Sequence, residues 1–394
     1  MVFSAQERLL QDLAGELEAL DAQGLRRHLA AVEAVDGARI RIQGTPFVNW
    51  SSNDYLGLST HPALAAAAVA ACRAYGIGAR ASRLLTGTTS WHCSLEERLA
   101  AWFGAEAALV YPSGYHANLG TLGALLSSQD TVVVDRLSHA SLFDAARASR
   151  ATLRVFQHND SSHAATLLAR GSAARRRLIV TEGLFSMQGD RAPLRDLLEV
   201  AQAHDAVVYV DDAHGAFALG ATGRGAPEAA GVPHDRLLYM GTLGKALGCQ
   251  GGFVVGPRSL VDFLQNRART FIYTTALAVP VAAAACAALD VLAREPQRRA
   301  RLRERAAHLR GRLARVQGVP SEAQGQLLPI VVGDASQALA LAARLREQGI
   351  WAPAIRPPTV PEGTARIRVS LTAHHTDADL EALVGALEDA CAFP

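Results

Sequence analysis

The stretch Val207-Val208-Tyr209-Val210-Asp211-Asp212-Ala213-His214-Gly215 places two carboxylates and an imidazole directly after four apolar or aromatic residues. The uninterrupted run Val207–Val210 is typical of a strand that is covered on both faces of a parallel sheet. Open sheets of this kind bind ligands at the carboxyl ends of their strands. The stretch therefore predicts an α/β fold with a ligand site near Asp211 and His214.

Similar apolar segments recur between helical stretches from about residue 105 to 256. This alternation predicts βαβ units and a mostly parallel central sheet with flanking helices. The other strand candidates are Ala107–Tyr111, Thr131–Val134, Leu178–Thr181, Leu237–Met240 and Gly252–Val255. Leu194–His204 is typical of the intervening helices, because Pro193 stands near its start, where a missing N–H does no harm.

Two further regions flank this pattern. Met1–Asp21 interleaves leucine with charged residues, which predicts an amphipathic helix and not a signal peptide. A helical pattern over Pro280–Arg315 leads into a smaller α/β pattern, with strands at Leu327–Val332 and Ala365–Ser370 and helices at Ser336–Gln348 and Asp377–Cys391. We expect an N-terminal segment of helix and short strands over residues 1–52, a large α/β domain over 53–280 and a C-terminal α/β domain over 281–394.

Nine arginines fall between Arg294 and Arg315. One interpretation is a binding site for a polyanion. The interleaved Glu295 and Glu304, together with the helical spacing of the intervening leucines, favour a solvated helix face instead.

The overall composition excludes several classes of partner. With 39 Lys+Arg against 37 Asp+Glu, the net charge of +2 gives no field that would hold nucleic acid or an anionic membrane. Five cysteines without CxxC spacing argue against a metal site and against a secreted disulfide framework, so we expect a cytoplasmic protein. The longest uncharged apolar run, Ala276–Leu289, is too short to span a bilayer and contains Pro280.

The chain contains a single lysine, Lys245, so the other 38 of its 39 basic residues are arginine. A drift of codon composition towards arginine is one explanation. The other is chemical, because arginine can replace lysine for charge and solubility but not as an amine nucleophile. Buried lysines are the ones that form Schiff bases, and we therefore favour a functional role for Lys245.

Polar residues at neighbouring strand ends match the needs of pyridoxal phosphate. Its aldehyde needs an amine, which Lys245 offers, and its pyridine nitrogen needs a buried carboxylate, which Asp211 offers. Ser113-Gly114-Tyr115 can present N–H groups to a phosphate at a helix N-terminus, and Thr242 can add a hydroxyl. Any one aspartate after a strand is usually a helix cap or turn former, so the prediction depends on the combination.

Two other classes of protein are less consistent with the sequence. A dinucleotide-dependent oxidoreductase is disfavoured, because Gly76-Ile77-Gly78 has no preceding apolar strand and no third glycine in register. A cofactor-free binding protein on the same fold would have to retain a complete set of cofactor contacts without using them.

Five motifs occur in order along the chain. They are Asn49-Trp50-Ser51-Ser52-Asn53-Asp54-Tyr55-Leu56-Gly57-Leu58, Asp135-Arg136-Leu137-Ser138-His139-Ala140-Ser141, Thr181-Glu182-Gly183-Leu184-Phe185-Ser186-Met187, Val210-Asp211-Asp212-Ala213-His214-Gly215 and Thr242-Leu243-Gly244-Lys245. Together they resemble the motifs of the fold-type I pyridoxal-phosphate enzymes called α-oxoamine synthases. The resemblance covers nearly the whole chain and implies a fold-type I transferase with pyridoxal 5'-phosphate as its cofactor.

The resemblance also implies a role for each cofactor-binding residue. Lys245 would form the Schiff base, Asp211 would contact the ring nitrogen, and His139 would stack on the ring. Further contacts to the cofactor would come from Ser186, His214, Gly114, Tyr115 and Thr242, and Glu182 would help to order the site. Thr275 would reach the phosphate of the partner subunit, which implies a homodimer with a shared active site.

The substrate side of the site follows from the same resemblance. Asn53, Arg356 and Arg26 would meet the substrate carboxylates, with Thr359 close by, although Arg27 beside Arg26 leaves that choice open. The segment Ile355-Arg356-Pro357-Pro358-Thr359-Val360-Pro361 resembles the biotin-pathway branch. That branch condenses L-alanine with pimeloyl-CoA or a pimeloyl-carrier protein, and the alternative is a sister enzyme that uses glycine and a short acyl-CoA.

One stretch, Gly78-Ala79-Arg80-Ala81-Ser82-Arg83, departs from the small residues that many relatives carry there. The resemblance places it near the entrance for the acyl chain or CoA. Arg80 and Arg83 could pair with a pimeloyl carboxylate or a carrier phosphate, or could simply lie at the surface.

Overall fold

The computed structural model of the chain describes residues 4–170, 174–314 and 316–391. Its N-terminal region comprises α1 (Ala5–Ala22), β1 (Ala34–Asp36), β2 (Arg39–Ile42) and β3 (Thr45–Asn49). Ser4 and Glu7 form a capping box that satisfies backbone N–H groups at the start of α1. The predicted N-terminal helix is confirmed over its described residues, and none of its side chains is buried in the single chain.

Seven strands form the central sheet. They are β4 (Ala107–Tyr111), β5 (Thr131–Asp135), β6 (Thr152–Phe156), β7 (Arg177–Glu182), β8 (Val207–Asp211), β9 (Leu238–Thr242) and β10 (Gly252–Gly256). Their spatial order is β4-β10-β9-β8-β7-β5-β6, and β10 alone runs antiparallel to its neighbours. The carboxyl ends of β5, β7, β8 and β9 therefore meet at one edge of the sheet, as predicted.

Helices connect and flank these strands. They are α2 (Pro62–Tyr75), α3 (Ser90–Phe103), α4 (Gly114–Leu125), α5 (Ala140–Ala148), α6 (Ser161–Ala169), α7 (Leu194–Ala203), α8 (Ala226–Ala230), α9 (Arg258–Arg267), α10 (Arg269–Ile272) and α11 (Val279–Arg294). Val208 and Val210 pack into one hydrophobic cluster and Tyr209 into another, so β8 is buried on both faces. Over the described ranges, no helix is both long and apolar enough to cross a membrane.

All six predicted strands of the central region are confirmed to within two residues at each end. The seventh strand, β6, was not predicted. It lies at the edge of the sheet, its residues Thr152 and Val155 are exposed, and Arg154 interrupts its apolar pattern. An edge strand that is partly exposed need not carry the continuous apolar run that identified the others, including β4, which lies at the other edge but is buried throughout.

The C-terminal region differs from the prediction in the number of its helices and in two short strands. The helical pattern predicted over Pro280–Arg315 is two helices, because Pro296 begins a second helix after α11 has ended at Arg294. The elements after α11 are α12 (Gln297–Leu313), β11 (Leu327–Gly333), α13 (Ala335–Glu347), β12 (Ile350–Trp351), β13 (Ala354–Ile355), β14 (Ala365–Ser370) and α14 (Asp377–Cys391). The short strands β12 and β13 were not predicted; β12 pairs parallel with β3 and so joins the N-terminal sheet.

Candidate active site

Lys245 lies in a tight turn that follows β9. The Gly248 N–H donates to the Lys245 carbonyl at 2.8 Å, and Gly248 has a φ of 68°, which favours glycine. A side chain there would also meet Ser59, since a Cβ would stand 2.5 Å from its backbone nitrogen. The turn brings the Lys245 Nζ to 2.7 Å from the Nε2 of His214, which follows β8.

The surroundings of Lys245 favour its neutral amine. Burial lowers the pKa of Lys245 to about 8, although the carboxylates of Asp211 and Glu182 oppose this shift. Burial, followed by the charge of Lys245, also lowers the pKa of His214 well below its usual value, so the imidazole is neutral. A lysine that loses its proton near neutral pH is the form that can act as nucleophile or base.

A chain of hydrogen bonds extends from His214 to the C-terminal region. The Tyr55 hydroxyl lies 2.6 Å from His214 Nδ1 and donates to Asn53 Oδ1 at 3.3 Å. The two ring nitrogens of His214 thus contact Tyr55 on one side and Lys245 on the other. The guanidinium of Arg368, on β14, donates to the same Asn53 oxygen at 3.0 Å.

Arg368 is a site residue that sequence reasoning missed. Its charge adds to the effect of burial in lowering the pKa of Lys245 and His214, and it opposes the burial that raises the pKa of Tyr55. Arg368 therefore stands within electrostatic reach of all three groups. The apolar alternation of β14 identified the strand but did not show where Arg368 would lie. Its position opposite Asn53, which is distant in sequence, could not be read from that pattern.

Asp211 and His139 are linked through a buried amide. The Asn118 Nδ2 donates to Asp211 Oδ2 at 2.7 Å and to Ser141 Oγ at 2.8 Å. The Ser141 hydroxyl lies 2.8 Å from His139 Nδ1, and the Ser141 N–H donates to the same nitrogen at 3.2 Å. The His139 ring, which caps α5, is thus anchored at one nitrogen while it remains exposed.

Glu182 and Ser186 lie beside this network. Glu182 pairs with Asp211 in the β7–β8 register, and its Oε2 accepts the Ser186 N–H at 3.2 Å. Burial and the Asp211 charge raise the pKa of Glu182. Its Oε1 is buried without a hydrogen-bond partner. Ser186 itself is buried, in the loop between β7 and α7.

The N-terminus of α4 lies next to the end of β9. Ser113 caps the helix by accepting the His116 N–H at 3.2 Å. A Cβ on Gly114 would lie 3.7 Å from the Thr242 side chain, so these two residues are neighbours. Gly252 cannot be larger, because its Cβ would stand 2.5 Å from the Ser113 carbonyl oxygen. Tyr115 is exposed and donates to Asp144 at 2.5 Å.

A charged histidine, also missed by sequence reasoning, joins the loops that carry His139 and Ser186. His158 bonds through Nδ1 to Asp135 at 3.0 Å and through Nε2 to Asp190 at 2.8 Å. Asp135 begins the segment that leads to His139, and Asp190 ends the loop that contains Ser186. These two carboxylates outweigh the effect of burial and raise the pKa of His158 to about 9.

The residues predicted to meet substrate carboxylates are only partly brought together. Arg356 donates to the backbone carbonyls of Gly24 and Arg26. The Arg26 side chain pairs with Asp21 at 2.5 Å. Arg27, and not Arg26, donates to Thr359 Oγ1 at 3.3 Å. Asn53 lies in the Lys245 network described above.

The remaining predicted residues are Arg80, Arg83 and Thr275, which come from two other parts of the sequence. Arg83 is buried and forms a two-pronged ion pair with Glu96 at 2.8 and 2.9 Å, so it is neither a surface cation nor free to bind a substrate anion. Arg80 is exposed and has a φ of 67°. Thr275 forms an isolated β-bridge with Ser82.

The arrangement around Lys245 fits pyridoxal phosphate. The half-buried amine has a depressed pKa, Asp211 offers a buried carboxylate, His139 offers an anchored but exposed ring, and α4 offers N–H groups at its start. The unpartnered Glu182 Oε1 is consistent with a site that is completed by a bound group.

Comparisons with known proteins support this interpretation of the site. Residues 45–387 match the family described as aminotransferase class I and II. The chain is 48% identical over 375 residues to an 8-amino-7-oxononanoate synthase of Anaeromyxobacter dehalogenans, covering 95% of this chain and 94% of that protein. It is 47% identical over 375 residues to the protein of the same name from Chromobacterium violaceum, covering 95% and 97%.

Two solved structures of similar fold carry related names. Serine palmitoyltransferase from S. paucimobilis, bound to a PLP-myriocin aldimine, matches with a TM-score of 0.92 at 30% identity and 98% coverage of both chains. An 8-amino-7-oxononanoate synthase from Francisella tularensis matches with a TM-score of 0.76 at 27% identity, covering 87% of this chain and 97% of that one.

Fold and site together define an enzyme of the fold-type I pyridoxal-phosphate class. The chain belongs to the class I and II aminotransferase family and, within it, to the α-oxoamine synthases. The relatives at 44–49% identity carry the name 8-amino-7-oxononanoate synthase, whereas the serine palmitoyltransferase from S. paucimobilis is 30% identical.

Proposed function

We propose that the protein condenses L-alanine with a pimeloyl thioester, with loss of CO₂ and of the thiol, to give 8-amino-7-oxononanoate in biotin biosynthesis. The thioester is carried by CoA or by a carrier protein, and we expect the reaction in the cytoplasm. The observation that carries the proposal is the identity of up to 48% with synthases of that name across 95% of the chain. The Lys245 network supplies the chemistry that such an activity needs.

Bound pyridoxal phosphate supplies an aldehyde for the amino group of the substrate and a ring that absorbs the electron pair released at Cα. Lys245 holds the cofactor, and its amine then takes the proton from alanine Cα and later returns one. A pKa of about 8 leaves a usable fraction of neutral amine near neutral pH. The 2.7 Å contact to His214 Nε2 fixes the direction of that amine.

Asp211 and His139 orient the ring of the cofactor. The Asp211 carboxylate is held on two sides, by Asn118 Nδ2 at 2.7 Å and by the Ala213 N–H at 3.0 Å, and it keeps a proton on the ring nitrogen. His139 would cover one ring face. Gly114, Tyr115 and Thr242 would position the phosphate end, and Ser186 and His214 the phenolic oxygen.

Arg368 and Asn53 would bind the alanine carboxylate. The guanidinium of Arg368 donates to Asn53 Oδ1 at 3.0 Å, and a path of three hydrogen bonds, through Asn53 and Tyr55, joins it to the His214 that contacts Lys245. Guanidinium groups bind carboxylates in a two-pronged geometry. Arg356, Arg26 and Thr359 would then meet the carboxylate at the far end of the pimeloyl chain, and Arg27 joins them through its contact with Thr359.

A homodimer with a shared active site completes the proposal, with Thr275 reaching the cofactor phosphate of the partner. Support comes from apolar side chains exposed around the Ser82–Thr275 bridge, among them Leu85 at 77% and Tyr273 at 72%. Such a surface is typical of a protein–protein interface. Sedimentation equilibrium should give twice the 41.6 kDa mass of the chain. The mass of a monomer would contradict the proposal of a shared active site.

Mass spectrometry of the product tests the reaction. Purified protein is incubated with pimeloyl-CoA, a short acyl-CoA or a long acyl-CoA, each in combination with L-alanine, glycine or L-serine. We expect 8-amino-7-oxononanoate with L-alanine, and release of CoA and CO₂ in equal amounts. Product formed only from glycine with a short acyl-CoA, or from serine with a long acyl-CoA, would retain the fold and replace the reaction with that of a sister enzyme.

A further inference from the structure

The arginines of α12 divide into two sets. Several are bound within the protein: Arg298 pairs with Glu295 at 2.6 Å, Arg305 donates to the Ala373 carbonyl at 3.0 Å, and Arg312 pairs with Glu381. Arg303 and Arg310 lie on another face of the helix, where they line a cavity, and Arg310 donates there to the Gly325 carbonyl at 2.7 Å. The expectation of a solvated helix face agrees with the exposure of Arg303, whereas Arg310 is half-buried and Arg299 is buried.

This cavity has a volume of about 400 Å³ and lies between α12 and two loops. One loop, residues 218–221, follows His214, and the other contains Gln324 and Gln326. Arg191 reaches the cavity from the segment before α7 and donates to Gln324 Oε1. Among the residues that line the cavity in the described part of the chain, three are arginine and none is aspartate or glutamate.

The positive charge of the cavity is poorly compensated. Burial lowers the pKa of Arg310, and the neighbouring charge of Arg191 lowers it further. Arg299, one turn before Arg303, is buried, and among the described residues its Nε and Nη1 have no hydrogen-bond partner. The Glu228 carboxylate accepts from Thr222 and from the Arg224 N–H, and its charge opposes the effect of burial on the pKa of Arg299.

We propose that this cavity, lined by Arg191, Arg303 and Arg310, binds an oxyanion of the phosphate class, either free or as part of a small phosphorylated molecule. Guanidinium groups form paired hydrogen bonds to phosphate oxygens, and the side-chain amides of Gln324 and Gln326 can add neutral donors. A cavity of about 400 Å³ is larger than one phosphate needs and lies in the range of small-molecule sites.

The cavity is separate from the predicted phosphate position at the start of α4, yet it is connected to the active site. The Gln326 side chain donates to the His214 carbonyl at 2.7 Å, and the Gln324 N–H donates to the Gly189 carbonyl at 2.5 Å in the loop that carries Ser186. An anion bound between Arg191 and Arg310 would therefore hold both loops in place. The inference goes beyond the proposed reaction and does not depend on its substrates.

Isothermal titration calorimetry of the holoenzyme tests this site. The cofactor is first fixed with borohydride, so that its own phosphate position is filled. Inorganic phosphate, pyrophosphate and ADP are then titrated separately in a chloride buffer. We expect one site per chain; tighter binding of phosphate or pyrophosphate would indicate a free anion, and tighter binding of ADP would indicate a phosphorylated molecule.

Variants locate the site. Arg310→Gln and Arg303→Gln should each weaken binding by about ten- to a hundredfold, the loss expected for a hydrogen bond to a charged group. Arg310→Lys should recover part of the affinity. Arg301→Gln, an exposed position on the same helix outside the cavity, is the matched control and should bind as the parent does. No binding at millimolar probe, or equal binding by Arg310→Gln and Arg301→Gln, would overturn the proposal and leave the proposed reaction untouched.

Discussion

The region around Lys245 and the region around Arg356 are held in place in different ways. Around Lys245, buried side chains bond to one another: His214 lies 2.7 Å from the amine, and Asn118 lies 2.7 Å from the Asp211 carboxylate. Around Arg356, the guanidinium bonds to the backbone of Gly24 and Arg26, which belong to an N-terminal segment that packs little against the rest of the chain.

The difference implies separate functions for the two regions. A buried network of side chains fixes reacting groups within a narrow range of positions, as chemistry at Cα requires. A guanidinium that bonds to backbone carbonyls can exchange them for a substrate carboxylate at small cost. Changes near Lys245 should therefore abolish turnover, whereas changes near Arg356 should alter the affinity for substrate.

Removal of the amine should give the largest effect. Lys245→Ala should lower kcat by roughly 10⁴-fold, because both the attachment of the cofactor and the proton transfer at Cα depend on that amine. Product formation measured by mass spectrometry checks this. Lys245→Arg keeps the positive charge but not the nucleophile, so it should be equally inactive; near-normal turnover in either variant would contradict the role of Lys245.

Removal of the adjacent carboxylate should come next. Asp211→Asn should lower kcat by about 10²- to 10³-fold, since the ring nitrogen would lose the charge that keeps it protonated. Asp212→Asn is a matched control, because Asp212 accepts from the Tyr239 hydroxyl at 2.8 Å and the Ala226 N–H at 2.7 Å and serves the packing of the loop. The main effect of Asp212→Asn should be a lower melting temperature. An equal loss of kcat in both variants would contradict the separate role of Asp211.

The carboxylate region should respond through KM. Arg368→Gln should raise the KM for L-alanine by about ten- to a hundredfold with a smaller change in kcat, because a charge-assisted hydrogen bond is lost. Steady-state kinetics with alanine and thioester varied separately would show it. Arg27→Gln should raise the KM of the thioester more than Arg26→Gln, since Arg27 contacts Thr359 and Arg26 is paired with Asp21. The reverse order would indicate that Arg26, and not Arg27, contacts the thioester.

The smallest effect should come from the histidine that joins the two cofactor loops. Asp135 and Asp190 raise the pKa of His158 to about 9, above the unfolded value of roughly 6.5. Its stabilising contribution is therefore complete below about pH 6.5 and is lost as the pH rises through about 9. His158→Gln should lower the free energy of unfolding by about 1–3 kcal/mol at pH 6.

Denaturant titrations at a series of pH values check this prediction. The difference in unfolding free energy between the parent and His158→Gln should shrink as the pH rises from 6 to about 9. A difference that is constant with pH would mean that His158 acts through packing, for example against Phe185, whose ring lies 4.4 Å away, and not through its charge.

Sequence reasoning predicted the Lys245 region well because its groups follow apolar strands directly. Asp211, His214 and Lys245 stand next to their strands in the chain, so the parallel sheet alone brings them together. It failed where contacts join distant segments. The Asn53–Arg368 hydrogen bond spans 315 positions and the Arg83–Glu96 pair buries a cation that the sequence left open, and neither follows from a local periodicity.

The same limit applies to the fold. β6 was missed because an edge strand need not be continuously apolar, and the break between α11 and α12 depended on a single proline. The other six strands required no such detail, since burial on both faces leaves an apolar run in the sequence.

The most direct test of the account is the visible absorption spectrum of the purified protein, titrated with L-alanine and, separately, with glycine. We expect a chromophore from pyridoxal phosphate attached to Lys245, and a spectral change that saturates with L-alanine at lower concentration than with glycine. Arg368→Gln should show the same chromophore but need far more alanine for the same change. Protein without a chromophore that added pyridoxal phosphate cannot restore would contradict the assignment of Lys245 and with it the proposed reaction.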